Sequence, residues 1–132
     1  MNLIKDPQEM KLDGSKILVV EDNELSQVVA KEILEYAGAA VVVAEHGKQA
    51  LDILAEQSFD CVLMDIQMPV MDGLEATRMI RANADWSEMP VIALTANIDQ
   101  HYRDMCVNVG MNDFLAKPID PDLLIDTICK WL

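Results

Sequence analysis

Five short apolar runs, each followed by a polar turn and a stretch of helical periodicity, dominate this sequence: KILVV from Lys16, AVVVA from Ala40, CVLM from Cys61, VIAL from Val91 and DFLA from Asp113. The runs stay apolar along their length instead of alternating with polar side chains, so each reads as a strand buried on both faces. Leu25, Val28, Val29, Ile33, Tyr36 and Ala37 recur at helical spacing behind Asn23, a good N-cap residue, and stop at Gly38. The same reading places further helices at about residues 48–57, 73–83, 98–109 and 121–132, with Gly110 closing the fourth. Strands alternating with helices in this way define an α/β class, a doubly wound five-stranded parallel sheet covered on both faces. In such open sheets ligands bind at the carboxyl ends of the strands.

Residues 1–15 contain Asp6-Pro7 and Asp13-Gly14 and show no sustained periodicity, so they read as an N-terminal tail or linker ahead of one domain over 16–132. A net charge of -13 argues against nucleic acid or an anionic membrane surface as partner, since both would repel the chain. No apolar run is long enough to span a bilayer and MNLIKDPQEM lacks a signal-peptide core, so a cytoplasmic chain without direct membrane contact is expected. Cys61, Cys106 and Cys129 have no CxxC spacing and read as free, packed thiols, while His46 and His101 stand apart from any motif and read as surface residues.

The strand ends carry the chemistry. Strand one delivers Glu21 and Asp22, strand three Asp65, strand four Thr95 and strand five Lys117. Taken singly, Asp65 fits a phosphoryl acceptor, a metal ligand or a general base. Three neighbouring carboxylates need a compensating cation, and an oxygen-only donor set suits Mg²⁺, with Mn²⁺ as an alternative, better than zinc. A metal, a lysine and a hydroxyl together stabilise the oxygens of a transferring phosphoryl group, which makes Asp65 the nucleophile.

The stretches ILVVEDNELSQ, VLMDIQMPVMDG, PVIALTAN and GMNDFLAKPI closely resemble, in order and spacing, the receiver domain of two-component response regulators across residues 16–132. That resemblance implies a flavodoxin-like strand order 2-1-3-4-5. It implies Asp65 as the phosphoacceptor, Glu21 and Asp22 as the acidic pair for Mg²⁺ with Asp22 the preferred direct ligand, and the backbone carbonyl of Gln67 as a further ligand. Thr95 and Lys117 would contact the phosphoryl oxygens, and Lys117–Pro118 would be a cis peptide. Phe114 stands at the position of the switch aromatic, which turns inward as Thr95 moves; Gln67 and Asn97 stand where the family tunes the lifetime of the acyl phosphate. Two departures are mild: Glu21 replaces the more usual Asp, and Phe114 lacks the hydroxyl of the common Tyr. The wording MDIQMPVMDG, ALTAN and NDFLAKPI is most similar to receivers attached to hybrid sensor histidine kinases. The implied partners are a histidine kinase domain and a histidine phosphotransfer domain, with the chain a monomer or weak dimer in the cytoplasmic portion of a sensor kinase or free-standing.

Two other classes compete. A haloacid-dehalogenase-type enzyme shares the Asp nucleophile, Mg²⁺ and Lys, but resembles DxDxT, and Gln67 stands where its acid/base Asp belongs. Without that acid a stoichiometric signalling phosphoacceptor is expected, not a turnover enzyme. An adaptor that only binds would have no chemical need for five site residues, and a flavin phosphate would be repelled by EDNELS.

Overall fold

The structure, a computed structural model, describes residues 10–68, 71–96 and 99–132. Strands β1 (Lys16–Val20), β2 (Ala40–Ala44), β3 (Cys61–Asp65), β4 (Val91–Thr95) and β5 (Asp113–Ala116) alternate with helices α1 (Glu24–Tyr36), α2 (Gly47–Glu56), α3 (Gly73–Ala82), α4 (Gln100–Val109) and α5 (Pro121–Trp131). All neighbouring strands run parallel, in the order β2-β1-β3-β4-β5. The helix boundaries sit within two residues of the sequence reading. Ile98, read as the start of the fourth helix, lies outside the described residues, and α4 begins after the cap Asp99.

Alternate residues of the central strands feed two cores. Leu18, Val20, Val62, Met64, Val91 and Ala93 face α2, α3 and α4, where Leu54, Ala76, Ile80 and Cys106 cover them. Ile17, Val19, Cys61, Leu63, Ile92 and Leu94 face α1 and α5, beneath Ala30, Leu34, Leu124, Ile125 and Ile128. Every residue of β3 and β4 is buried, which is why these runs show no polar alternation.

Helix starts are set by side-chain caps: Asn23, His46, Asp72, Asp99 and Asp120 each accept a hydrogen bond from a backbone N–H in the first turn of the following helix. His46, read from sequence as a plain surface residue, does so through Nδ1, which accepts from Gln49 N at 3.2 Å. At the end of α1, Gly38 takes φ 97° while its N–H donates to Glu35 O and that of Ala39 donates to Leu34 O, a paired closure that strains any residue with a Cβ.

Within the stretch ahead of β1, the described residues 10–15 pack onto the domain. Met10 to Gly14 turn beneath the sheet, and Leu12, only 1% exposed, joins the α1/α5 core. Its N–H donates to Ala37 O at 2.7 Å, Ala40 N donates to Ser15 O at 2.8 Å, and Lys11 Nζ pairs with Asp126 Oδ1 at 2.8 Å. Leu12, flanked by polar Lys11 and Asp13, carries no periodic signal, so its burial was invisible in the sequence. Cys61, Cys106 and Cys129 are free thiols, the first two buried. Among the described residues no helix is long and apolar enough to cross a membrane.

Candidate functional site

Strand register assembles the site. Val20 pairs with Met64, so Glu21 and Asp65 follow as neighbours at the carboxyl edge of β1 and β3. Asp65 pairs with Leu94 and Thr95 with Ala116, which brings Thr95 and then Lys117 to the same edge; Lys117 N donates to Thr95 O at 2.9 Å. Oxygens of Glu21, Asp22 and Asp65 all lie within 4.8 Å of one another. Glu21 and Asp65 are 1% and 3% exposed, whereas Asp22 opens to solvent.

Lys117 bridges the two buried carboxylates, its Nζ 2.9 Å from Glu21 Oε2 and 3.1 Å from Asp65 Oδ2. Burial pushes the Glu21 carboxyl upward and the charge of Asp65 adds to this, while Lys117 and the Asn23 N–H hold it back. Burial alone would lower Lys117, but its close ion pairs with Glu21 and Asp65 raise it. The cluster fits a hard divalent cation on two counts. Glu21 Oε2 is buried with an ion-pair neighbour but no aligned hydrogen bond, and three carboxylates against one ammonium leave two negative charges to neutralise.

The chain that follows Asp65 is held tightly. Gln67 N donates to Asp65 Oδ1 at 3.2 Å, and Gly73 N donates to Ile66 O at 2.9 Å. A Cβ on Gly73 would clash with Asp65 O, so only glycine lets α3 start this close to the acceptor strand. Gly47, at the start of α2, donates to Met71 O at 3.3 Å and braces the loop from the other side. The side chain of Gln67 is exposed, and Asn97 lies outside the described residues. The Lys117–Pro118 peptide is cis. Phe114 is not among the carboxylates: half-buried on β5, it packs against the α4-side core with the Arg103 guanidinium 4.8 Å from its ring centre.

Two cavities matter for placement. The larger, about 570 Å³, is lined by Phe59, Trp86 and Met89 at the opposite edge of the sheet and touches none of Glu21, Asp22, Asp65, Thr95 and Lys117. A groove of about 430 Å³, lined by Leu25, Ser26, Val29, Lys117, Pro118 and Ile119, runs from the site onto α1. One further contact had no sequence signal: the side chain of Gln27 on α1 reaches back to the carbonyl of Glu21.

An open parallel sheet of this order with acidic residues at the ends of β1 and β3 and a lysine after β5 defines a class of signalling domain. Residues 17–129 match the family model of the response regulator receiver domain, and the chain belongs to that family. It is 40% identical to hybrid signal transduction histidine kinase I of Dictyostelium discoideum over 129 residues, covering 89% of this chain and 7% of that protein. Across the curated relatives the chain spans between 6% and 18% of their length. The receiver domain of sensor histidine kinase PA1611 from Pseudomonas aeruginosa PAO1, solved with magnesium coordinated in its active-site cleft, superposes with a TM-score of 0.84 at 42% identity, covering 89% of this chain and 97% of that one. The receiver domain of Ssk1 from Saccharomyces cerevisiae, solved with the histidine phosphotransfer protein Ypd1, gives 0.83 at 28% identity and covers 89% and 88%.

Proposed function

We propose that this receiver domain is a stoichiometric phosphoacceptor in a phosphorelay, taking a phosphoryl group from a phosphohistidine onto Asp65 and passing it to a histidine phosphotransfer domain. The observation that carries the reading is the Lys117 ammonium 3.1 Å from Asp65 Oδ2, in a cluster of three carboxylates at the strand ends. An oxygen of Asp65 forms the new O–P bond as the P–N bond of the donor breaks, and the departing imidazole takes up a proton. Glu21, Asp22, Asp65 and the Gln67 carbonyl would hold a divalent cation, Mg²⁺ with Mn²⁺ as substitute, which would supply positive charge to the oxygens of the transferring group. Lys117 contributes a second positive charge and Thr95 a hydroxyl donor. Gln67, next but one to the acceptor in sequence, and Asn97, by the family resemblance, tune how water reaches the acyl phosphate, and Phe114 with Thr95 relays the change to the α4–β5–α5 face.

The docking face for the phosphotransfer partner is α1 with the groove beside Lys117, where Leu25, Val28 and Val29 are 72%, 47% and 39% exposed. A hybrid histidine kinase is the parent that the 40% relative supports, with the kinase domain as the second partner. The domain unit is 16–132 together with the packed turn from Met10, and three free thiols fit a cytoplasmic location. Incubation with a phosphorylated histidine phosphotransfer domain tests this. Label should leave the donor and appear on this chain, and should stay on the donor when Asp65→Asn is used; transfer to Asp65→Asn would overturn the reading.

A further inference from the structure

We propose that Gln27 is a positioning residue for the acidic pair, holding Glu21 and Asp22 in register for a divalent cation. The inference rests on the metal-assisted reading of the site given above. β1 ends at Val20, so the carbonyl of Glu21 lies beyond the strand, where the chain turns toward α1. Gln27 Nε2 donates to that carbonyl at 2.6 Å from a half-buried position on α1. The backbone of Gln27 is itself fixed, its N–H donating to Asn23 O at 2.9 Å.

The geometry matters because the bonded carbonyl belongs to the planar peptide group joining Glu21 to Asp22. Restraining its oxygen restrains that plane, and with it ψ of Glu21 and φ of Asp22, one of the two backbone torsions that orient each side chain. The other bonds to Glu21 do not do this. Its N–H donates to Ala44 O at 3.0 Å and its Oε1 accepts from Asn23 N at 3.1 Å, which locate the start of the residue and the tip of its side chain. Asp22 is exposed, so burial does not hold it, and the peptide plane on its N-terminal side is one of its restraints. The side-chain amide is also a suitable donor chemically: it satisfies a carbonyl beside three carboxylates without adding a positive charge that would compete with a cation.

Gln27→Met tests the role, since Met matches the length and helix propensity of Gln and cannot donate a hydrogen bond. Mg²⁺ affinity is read by calorimetric titration, with thermal unfolding in metal-free buffer measured in parallel. The expected result is a Kd raised about tenfold, the low end for a lost outer-shell bond, with metal-free unfolding still one cooperative transition whose midpoint falls by no more than the few degrees that a single lost hydrogen bond costs. At saturating Mg²⁺, phosphorylation by acetyl phosphate should return to within a few-fold of wild type. An unchanged Kd for Gln27→Met beside a normal wild-type isotherm overturns the inference alone. The absence in wild type of any saturable Mg²⁺ isotherm that Asp22→Asn abolishes overturns the reading of the site and this inference with it.

Discussion

The ammonium of Lys117 stands 3.1 Å from Oδ2 of Asp65, and it reaches there from the far side of the sheet, one residue past β5. The same nitrogen is 2.9 Å from Glu21 Oε2, so one lysine compensates two carboxylates that are almost wholly buried. Stability and chemistry are therefore tied at this edge.

Lys117→Met removes that compensation and leaves Glu21 and Asp65 buried without a cation. In metal-free buffer the variant should lose roughly 3–5 kcal/mol by urea unfolding, the range expected when a buried ion pair is broken from one side. Mg²⁺ should recover more stability in the variant than in wild type, while phosphorylation of Asp65 falls by about 10²-fold or more through loss of charge stabilisation. Equal stability of the two proteins without metal would show that Lys117 carries no such load.

Leu12→Ala should cost roughly 2–4 kcal/mol, because the side chain is 1% exposed within the α1/α5 core and its removal leaves a cavity. Urea midpoints of the two proteins decide it. A shift within error would mean that the turn before β1 is not part of the cooperative unit.

The thiols give a pH test. Burial, with the charge of Asp60, pushes Cys61 up to about 12 from an ordinary 9.0. The folded chain then keeps a proton that the unfolded chain gives up, so this residue's contribution to stability is complete below 9.0 and declines as pH rises toward 12. Iodoacetamide at pH 8.5 should label Cys129, which is half-buried, well before Cys61, and all three cysteines alike in urea. Rapid labelling of Cys61 in the folded protein would contradict its placement.

What the sequence disclosed and what it hid divide by the range of the interactions. Glu21, Asp22, Asp65, Thr95 and Lys117 could be brought together without coordinates because parallel strands end at one edge, and each follows an apolar run. Arg81 could not. Its guanidinium donates to Gly110 O at 2.8 Å, Trp86 O at 3.0 Å and Asn112 Oδ1 at 2.8 Å, tying the end of α3 to two loops that only the folded chain brings near. Gln27 hides for a different reason: a glutamine on a polar helix face looks like any solvated residue until its amide is seen against Glu21 O. His46 shows the same limit, since capping is read readily from Asn or Asp and seldom from His.

The most direct test of the account is intact mass after incubation with acetyl phosphate or a phosphorylated phosphotransfer domain, with Mg²⁺ or EDTA, on wild type and Asp65→Asn. The predicted result is a single phosphoryl adduct on wild type that requires Mg²⁺ and is absent from Asp65→Asn. An adduct that persists in Asp65→Asn, one that forms equally in EDTA, or none from either donor would contradict it.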